Sequence, residues 1–193
     1  MSNRRPAPKD QQPDSFIFTD ANLKIAKQHI AKYPEGRQAS AVLPLLEMAQ
    51  KQNDNWLPMA AIEHIASVLD MPHMRVFEVA TFYTMFNLSP VGKYHIQLCG
   101  TTPCWLRGAD DIKNTCKSKL GLDLGETTKD GMFTLSEVEC LGACANAPMM
   151  QINDDFYEDL TSGSMEEIIE GLSTGKDIKR GSQTGRKSSE PAE

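Results

Sequence analysis

Four of the five cysteines in this 193-residue chain fall in two close pairs, Cys99/Cys104 and Cys140/Cys144, and none precedes Cys99. Cys116 stands alone between them. Two close pairs, each on its own loop, are what a chain needs to close a metal centre, so the second half is expected to fold around one such site. A disulfide framework is the competing use. Met1–Ser15 is polar and Pro-rich and lacks the apolar stretch of a secretory signal, and Arg4-Arg5 without that stretch is a poor export signal. The chain therefore reads as intracellular, where such frameworks are rare. No Cys-x-x-Cys dithiol occurs, which disfavours a thioredoxin-type redox pair.

Composition removes other classes. A net charge of −6 leaves no basic nucleic-acid footprint beyond short patches such as Lys179-Arg180. No run approaches the roughly 18 apolar residues of a membrane span. G-x-G-x-x-G and Walker A patterns are both absent, so the chain is not expected to bind a nucleotide itself.

The pattern along the chain divides it in two. Residues 1–18 read as a flexible arm. Leu23, Ala26, Ile30 and Tyr33 share one helical face after a cap at Thr19 or Asp20. Val42, Leu45, Leu46 and Ala49 define a second helix, with Pro44 in its first turn or kinking it. A third opens near Pro58 with Ile62, Ile65, Ala66 and Leu69, and a fourth at Pro72 with Val76, Val79 and Ala80. These make a helical bundle domain over 19–88, and Asn87–Gly92 reads as a linker. Tyr94–Leu98 then alternates as a strand that delivers Cys99. A helix over 105–119, a strand over 133–140, a hairpin around Asn153-Asp154-Asp155 and a last helix opened by a Ser164–Glu167 capping box follow. The fold class is α+β, with a β-α-β-β-β-α domain over 92–175. Residues 176–193 lack periodicity and read as an extended or disordered tail.

The cysteine motifs are Cys99-Gly-Thr-Thr-Pro-Cys104 and Cys140-Leu-Gly-Ala-Cys144. A binuclear iron–sulfur cluster takes two thiolates per iron, and each loop can supply one pair. Its negative charge calls for backbone N–H donors. Gly100, Gly142, Ala143 and Ala145 let peptides approach sulfur, and Thr101 and Thr102 add hydroxyls. Structural Cys₄ zinc uses similar spacings, so on spacing alone both metals remain open. Cys116 lies within a helical pattern as a small buried hydrophobe.

The strings Phe77-Glu-Val-Ala-Thr-Phe-Tyr-Thr-Met-Phe86, Val91-Gly-Lys-Tyr94, both cysteine motifs, Ala145-Asn-Ala-Pro148 and Asp154-Asp-Phe-Tyr-Glu-Asp-Leu160 resemble the family of E-type subunits of respiratory complex I (NADH–quinone oxidoreductase), called flavoprotein 2 in mitochondria. Tyr33–Arg37 and Ser40–Leu46 fit as well, so the resemblance spans about residues 16–175. Gly185-Arg186 and Ser189-Glu-Pro191 resemble a C-terminal extension of some members. The resemblance implies a thioredoxin-like ferredoxin domain after a helical bundle, with one 2Fe-2S cluster on Cys99, Cys104, Cys140 and Cys144. It also places Ala147-Pro148 at the cis-proline position of thioredoxin folds. By the same resemblance, the chain is an oxidoreductase subunit that exchanges single electrons with a partner's flavin. FMN and NADH belong to that F-type subunit, and a G-type iron–sulfur subunit lies alongside. The expected place is peripheral, on the cytoplasmic face of a bacterial inner membrane, or on the matrix side in a processed organellar form. Related subunits serve NAD-linked hydrogenases and formate dehydrogenases.

Two other classes stay in view: a zinc scaffold without redox chemistry, and a free ferredoxin that carries electrons by diffusion. His95 is expected as a packed or surface histidine, and His29, His64 and His73 show no ligand spacing. The acidic hairpin at Asp154, Asp155, Glu158 and Asp159 reads as a solvated tip. Phe82, Tyr83 and Phe86 are expected in the core, with a subunit interface as the alternative.

Overall fold

The structure is a computed structural model and describes residues 5–187. Its contacts separate residues 5–91 from residues 92–187. Among the described residues no helix is long and apolar enough to cross a membrane.

The first unit is helical: α1 (Asp20–Ile30), α2 (Val42–Gln52), α3 (Met59–Leu69) and α4 (His73–Phe82). Each start has a local cause. The Thr19 hydroxyl accepts the Asn22 N–H of α1, Pro44 sits in the first turn of α2, and Pro58 and Pro72 precede α3 and α4. The apolar faces meet in one core in which Leu45, Leu46, Ile62, Ile65 and Val76 are fully buried. Each such side chain contributes about 1.5–3 kcal/mol.

Residues 5–18 are not the loose arm that composition suggested. Phe18 is buried against the helices, the Ala7 N–H donates to the Leu88 carbonyl, and the Gln52 amide holds the Ile17 carbonyl. Two of the three aromatics expected in the core are exposed. Phe86 is buried, whereas Phe82 is 77% exposed and Tyr83 is partly so. Phe82 lies two residues beyond the buried Ala80, on the opposite face of α4.

The second unit runs β1 (Tyr94–Cys99), α5 (Thr102–Leu106), α6 (Ala109–Leu120), β2 (Glu126–Thr127), β3 (Phe133–Val138), β4 (Met150–Ile152), β5 (Asp155–Glu158), α7 (Ser162–Ser173) and β6 (Gly181–Ser182). Its sheet order is β2-β3-β1-β4-β5-β6. Strand β1 pairs in parallel with β3 and antiparallel with β4. Ile96, Leu135, Met150, Met165, Ile168 and Ile112 close the core between the sheet and helices α6 and α7.

Two local expectations are corrected. The helix expected over 105–119 is two, because Gly108 adopts φ +95°, which breaks the hydrogen-bond ladder between α5 and α6. The capping box lies one turn earlier: the Thr161 hydroxyl accepts the Ser164 N–H, and the Ser164 hydroxyl accepts the Thr161 N–H. A serine can do here what the expected Glu does elsewhere. The tail, read as extended or disordered, adds β6 in parallel to β5 and packs Ile178 against the core of this unit. Residues 188–193 of that tail, and the Ser189-Glu-Pro191 string, lie outside the described residues.

Candidate metal centre

Parallel pairing of β1 with β3 fixes where the cysteines can meet. Cys99 ends β1 opposite Val138, which ends β3, so both strands deliver their following loops to the same end of the sheet. Strand β4 starts at that end because it runs antiparallel to β1. The loop from Glu139 to Met149, with Cys140 and Cys144, therefore cannot leave the neighbourhood of Cys99. Cys104 returns there on the single turn of α5, whose Thr102-Pro103 start suits a helix N-terminus.

Both pairs form. Cys104 is close enough to Cys99 to shift its thiol, and the Cys140 and Cys144 sulfurs stand 3.7 Å apart. Two thiolates on one tetrahedral metal at about 2.3 Å stand about 3.8 Å apart, so the second pair already has the spacing of a shared ion. Among the described residues no three His, Cys, Asp or Glu side chains close on a single point; the thiols are arranged as two neighbouring pairs. Cys144 is near enough to Cys104 to oppose its ionisation. The first pair is buried with Ala147 and Met149, against Ala109, Leu141 and Phe156, and the second is exposed.

Donors surround the sulfurs. The Thr101 hydroxyl lies 3.3 Å from Cys99 Sγ, and the Gly142 N–H donates to Cys140 Sγ at 3.4 Å. Gly142 adopts φ +87°, a conformation that lets its peptide face the sulfur and that a side chain would strain. Burial pushes the Cys99 thiol up, but the Thr101 hydroxyl and the Thr101 and Leu141 N–H groups outweigh it, and the net shift is downward. Burial and then the hydrogen bond with Cys99 push Cys104 up to about 12. Its bond with Cys140 raises Cys144. A metal reverses these upward shifts, because a coordinated thiol is deprotonated outright. Two thiol pairs with aimed N–H groups fit a binuclear iron–sulfur centre.

The family pattern of thioredoxin-like 2Fe-2S ferredoxins matches residues 26–173. This chain belongs to that family. It is 62% identical over 156 residues to the E-type subunit of the NADH-quinone oxidoreductase of Rickettsia typhi (strain ATCC VR-144 / Wilmington), covering 81% of this chain and 92% of the relative. It is 51% identical over 175 residues to the mitochondrial "NADH dehydrogenase (ubiquinone) flavoprotein 2" of Dictyostelium discoideum, covering 91% of this chain and 71% of the relative. Among solved structures, an NAD+-reducing NiFe-hydrogenase in the H2-reduced state matches with a TM-score of 0.60 at 21% identity, over 68% of this chain and 23% of that one. That likeness is one of fold alone.

The ferredoxin domain carries the cis Ala147-Pro148 bond that the resemblance implied. Sequence reasoning named Gly142 and Thr101 as donors and missed the Leu141 and Met149 N–H groups. No side-chain signal marks those two, since any residue has an N–H. Cys116 is fully buried in the sheet–helix core, where burial pushes its thiol up to about 12. His95 is packed rather than ligating: it is 7% exposed, with Nε2 2.9 Å from the Ser136 hydroxyl.

Burial pushes the His95 imidazole down from 6.5 to about 4. As pH falls, the unfolded chain binds this proton first, so the fold loses stability from about pH 6.5 down to about pH 4. About 2 kcal/mol of that loss has accrued by pH 5. His95→Gln, which keeps a partner for Ser136, is expected to remove it. Urea midpoints at pH 7 and pH 5 measure the difference; an equal drop in the variant would assign the acid sensitivity to other groups.

Proposed function

We propose that this chain is the electron-transfer subunit of the NADH dehydrogenase module of a proton-translocating NADH:quinone oxidoreductase, holding one 2Fe-2S cluster on Cys99, Cys104, Cys140 and Cys144. The observation that most supports it is the pairing of the four thiols at one end of the sheet, in a chain so similar to E-type subunits of NADH-quinone oxidoreductases. When bound, the cluster supplies a centre that takes up and returns one electron at a time.

The chain's own residues set the conditions. Cys99 and Cys104 would hold the cluster from apolar surroundings that keep water away. The Thr101, Leu141, Gly142 and Met149 donors stabilise negative charge on the sulfurs and would favour the reduced state of a bound cluster. Cys140 and Cys144 face solvent, and Trp105 and Leu106 beside Cys104 are 57% and 70% exposed. That end is the face toward the partners: an F-type subunit that binds FMN and NADH, and a neighbouring G-type iron–sulfur subunit.

Metal and sulfide analysis of anaerobically purified protein, with electron paramagnetic resonance after reduction, tests the assignment. About two irons and two sulfides per chain and a spin-half signal are expected. About one zinc and no signal would sink it and leave a structural scaffold.

A further inference from the structure

We infer that residues 179–187 form a strap on the loop that carries the outer cysteine pair, with Arg186 as the positioning residue that holds the backbone just after Cys144. The inference rests on the cysteine assignment above and adds to it a role for the chain's end.

Cys140 and Cys144 are exposed, so packing does not hold them; the backbone around them must be fixed by hydrogen bonds. Part of that fixing comes from the end of β5. The Asp159 N–H donates to the Asn146 carbonyl at 2.8 Å, and the Leu160 N–H to the Pro148 carbonyl at 3.0 Å. The Asn146 side-chain amide donates to Glu158 Oε2 at 2.7 Å. The tail supplies the rest. The Arg186 guanidinium donates to the Ala145 carbonyl at 2.8 Å and also to the Asp159 carboxylate.

Asp159 is the junction. Its side chain is 8% exposed, and it accepts the Ser182 hydroxyl at 2.6 Å and the Thr184 hydroxyl at 3.3 Å besides Arg186. The Arg186 N–H donates back to the Ser182 hydroxyl at 2.9 Å, and the Gln183 N–H to the Glu158 carbonyl at 3.0 Å. Tail residues 182, 184 and 186 thus converge on one carboxylate, and Arg186 alone among them also reaches the cysteine loop. Removing its guanidinium leaves a nearly buried carboxylate without its counter-charge and the Ala145 carbonyl without this donor. Outer partners of this kind orient metal ligands and are typically worth about ten- to a hundred-fold in metal affinity.

The test uses the full chain: wild type, Arg186→Gln and Arg186→Lys, loaded alike, with metal release to a chelator followed by absorbance and the midpoint potential read by electron paramagnetic resonance. Arg186→Gln is expected to release metal about tenfold faster than wild type and, having lost a nearby cation, to be harder to reduce. Arg186→Lys keeps the charge and one donor, and is expected to recover part of both. Wild-type release and potential in Arg186→Gln would overturn the strap. Should circular dichroism show Arg186→Gln unfolded, Arg186→Lys decides: release faster than wild type supports the strap, and an unchanged rate overturns it. Zinc instead of iron in the wild type would overturn the cluster assignment, and zinc release from the same variants would still read the strap.

Discussion

Cys104→Ser is expected to abolish the iron–sulfur signal, while Cys116→Ser leaves it intact. The two thiols are chemically alike in the metal-free chain: both are buried, and burial drives both up to about 12. What separates them is company. Cys104 is buried with Cys99 and near enough to Cys144 to feel its charge; Cys116 lies in the apolar core with Ile112, Leu135 and Ile169. On the proposed assignment, loss of one of four thiolates would leave one iron with a single protein sulfur, and serine is a poor substitute for this metal. Iron content is expected to fall close to zero. In Cys116→Ser the new hydroxyl is buried in an apolar site, which costs about 1–3 kcal/mol of stability. Iron analysis and urea denaturation on the two variants therefore give opposite profiles. A Cys116→Ser protein that lost its iron would put Cys116 among the ligands, and a Cys104→Ser protein that kept it would remove Cys104 from them.

Gly92→Ala is expected to cost the ferredoxin domain about 3 kcal/mol, a large effect for one methyl group. Gly92 is buried at the entrance to β1, and its N–H donates to the Thr134 hydroxyl at 2.6 Å. A Cβ built there meets backbone atoms of β3: Phe133 C at 2.7 Å, Phe133 N at 2.9 Å and Thr134 N at 2.9 Å. Backbone in a paired strand cannot step aside as a flexible side chain can, so the β1–β3 pairing must open. Gly121→Ala is the contrast, with φ +65° but nothing within 4 Å of the added atom, and its expected cost is about 1 kcal/mol. Hydrogen exchange is the sharper readout. Gly92→Ala should speed exchange in β1 and β3 and leave α2 and α3 unchanged, because their cores are separate clusters. Uniform acceleration would mean that the two units unfold as one.

Much of the helical unit was legible because its signals are local. Proline and threonine mark helix starts, and an apolar residue every three or four positions marks the buried face, so α1 to α4 and their core residues follow from the chain. Phe82 was misplaced because aromatic character was weighed above helical phase: Ala80 faces in, and two positions later the side chain must face out; Tyr83 follows the helix end in extended backbone. In the second unit, alternation marked β1 and β3, but no pattern announced the break at Gly108, since a glycine inside a polar helix surface looks like any small residue.

Which cysteines to propose as ligands could be read from the chain itself. Two motifs with short internal spacing, set in strings that resemble one family, single out Cys99, Cys104, Cys140 and Cys144 and leave Cys116 aside. Spacing along a chain is a local constraint, and metal ligation begins with local pairs. Folding in three dimensions decided which pair is buried and which is open, which peptide N–H groups face the sulfurs, and that Arg186 of the tail reaches the cysteine loop. Those outcomes depend on strand direction and register: parallel pairing of β1 with β3 brings the two loops to one end, and β6 beside β5 carries Arg186 to the Ala145 carbonyl. Backbone hydrogen bonds between distant segments have the same donors and acceptors whatever the residue, so the letters of the sequence carry almost no record of them.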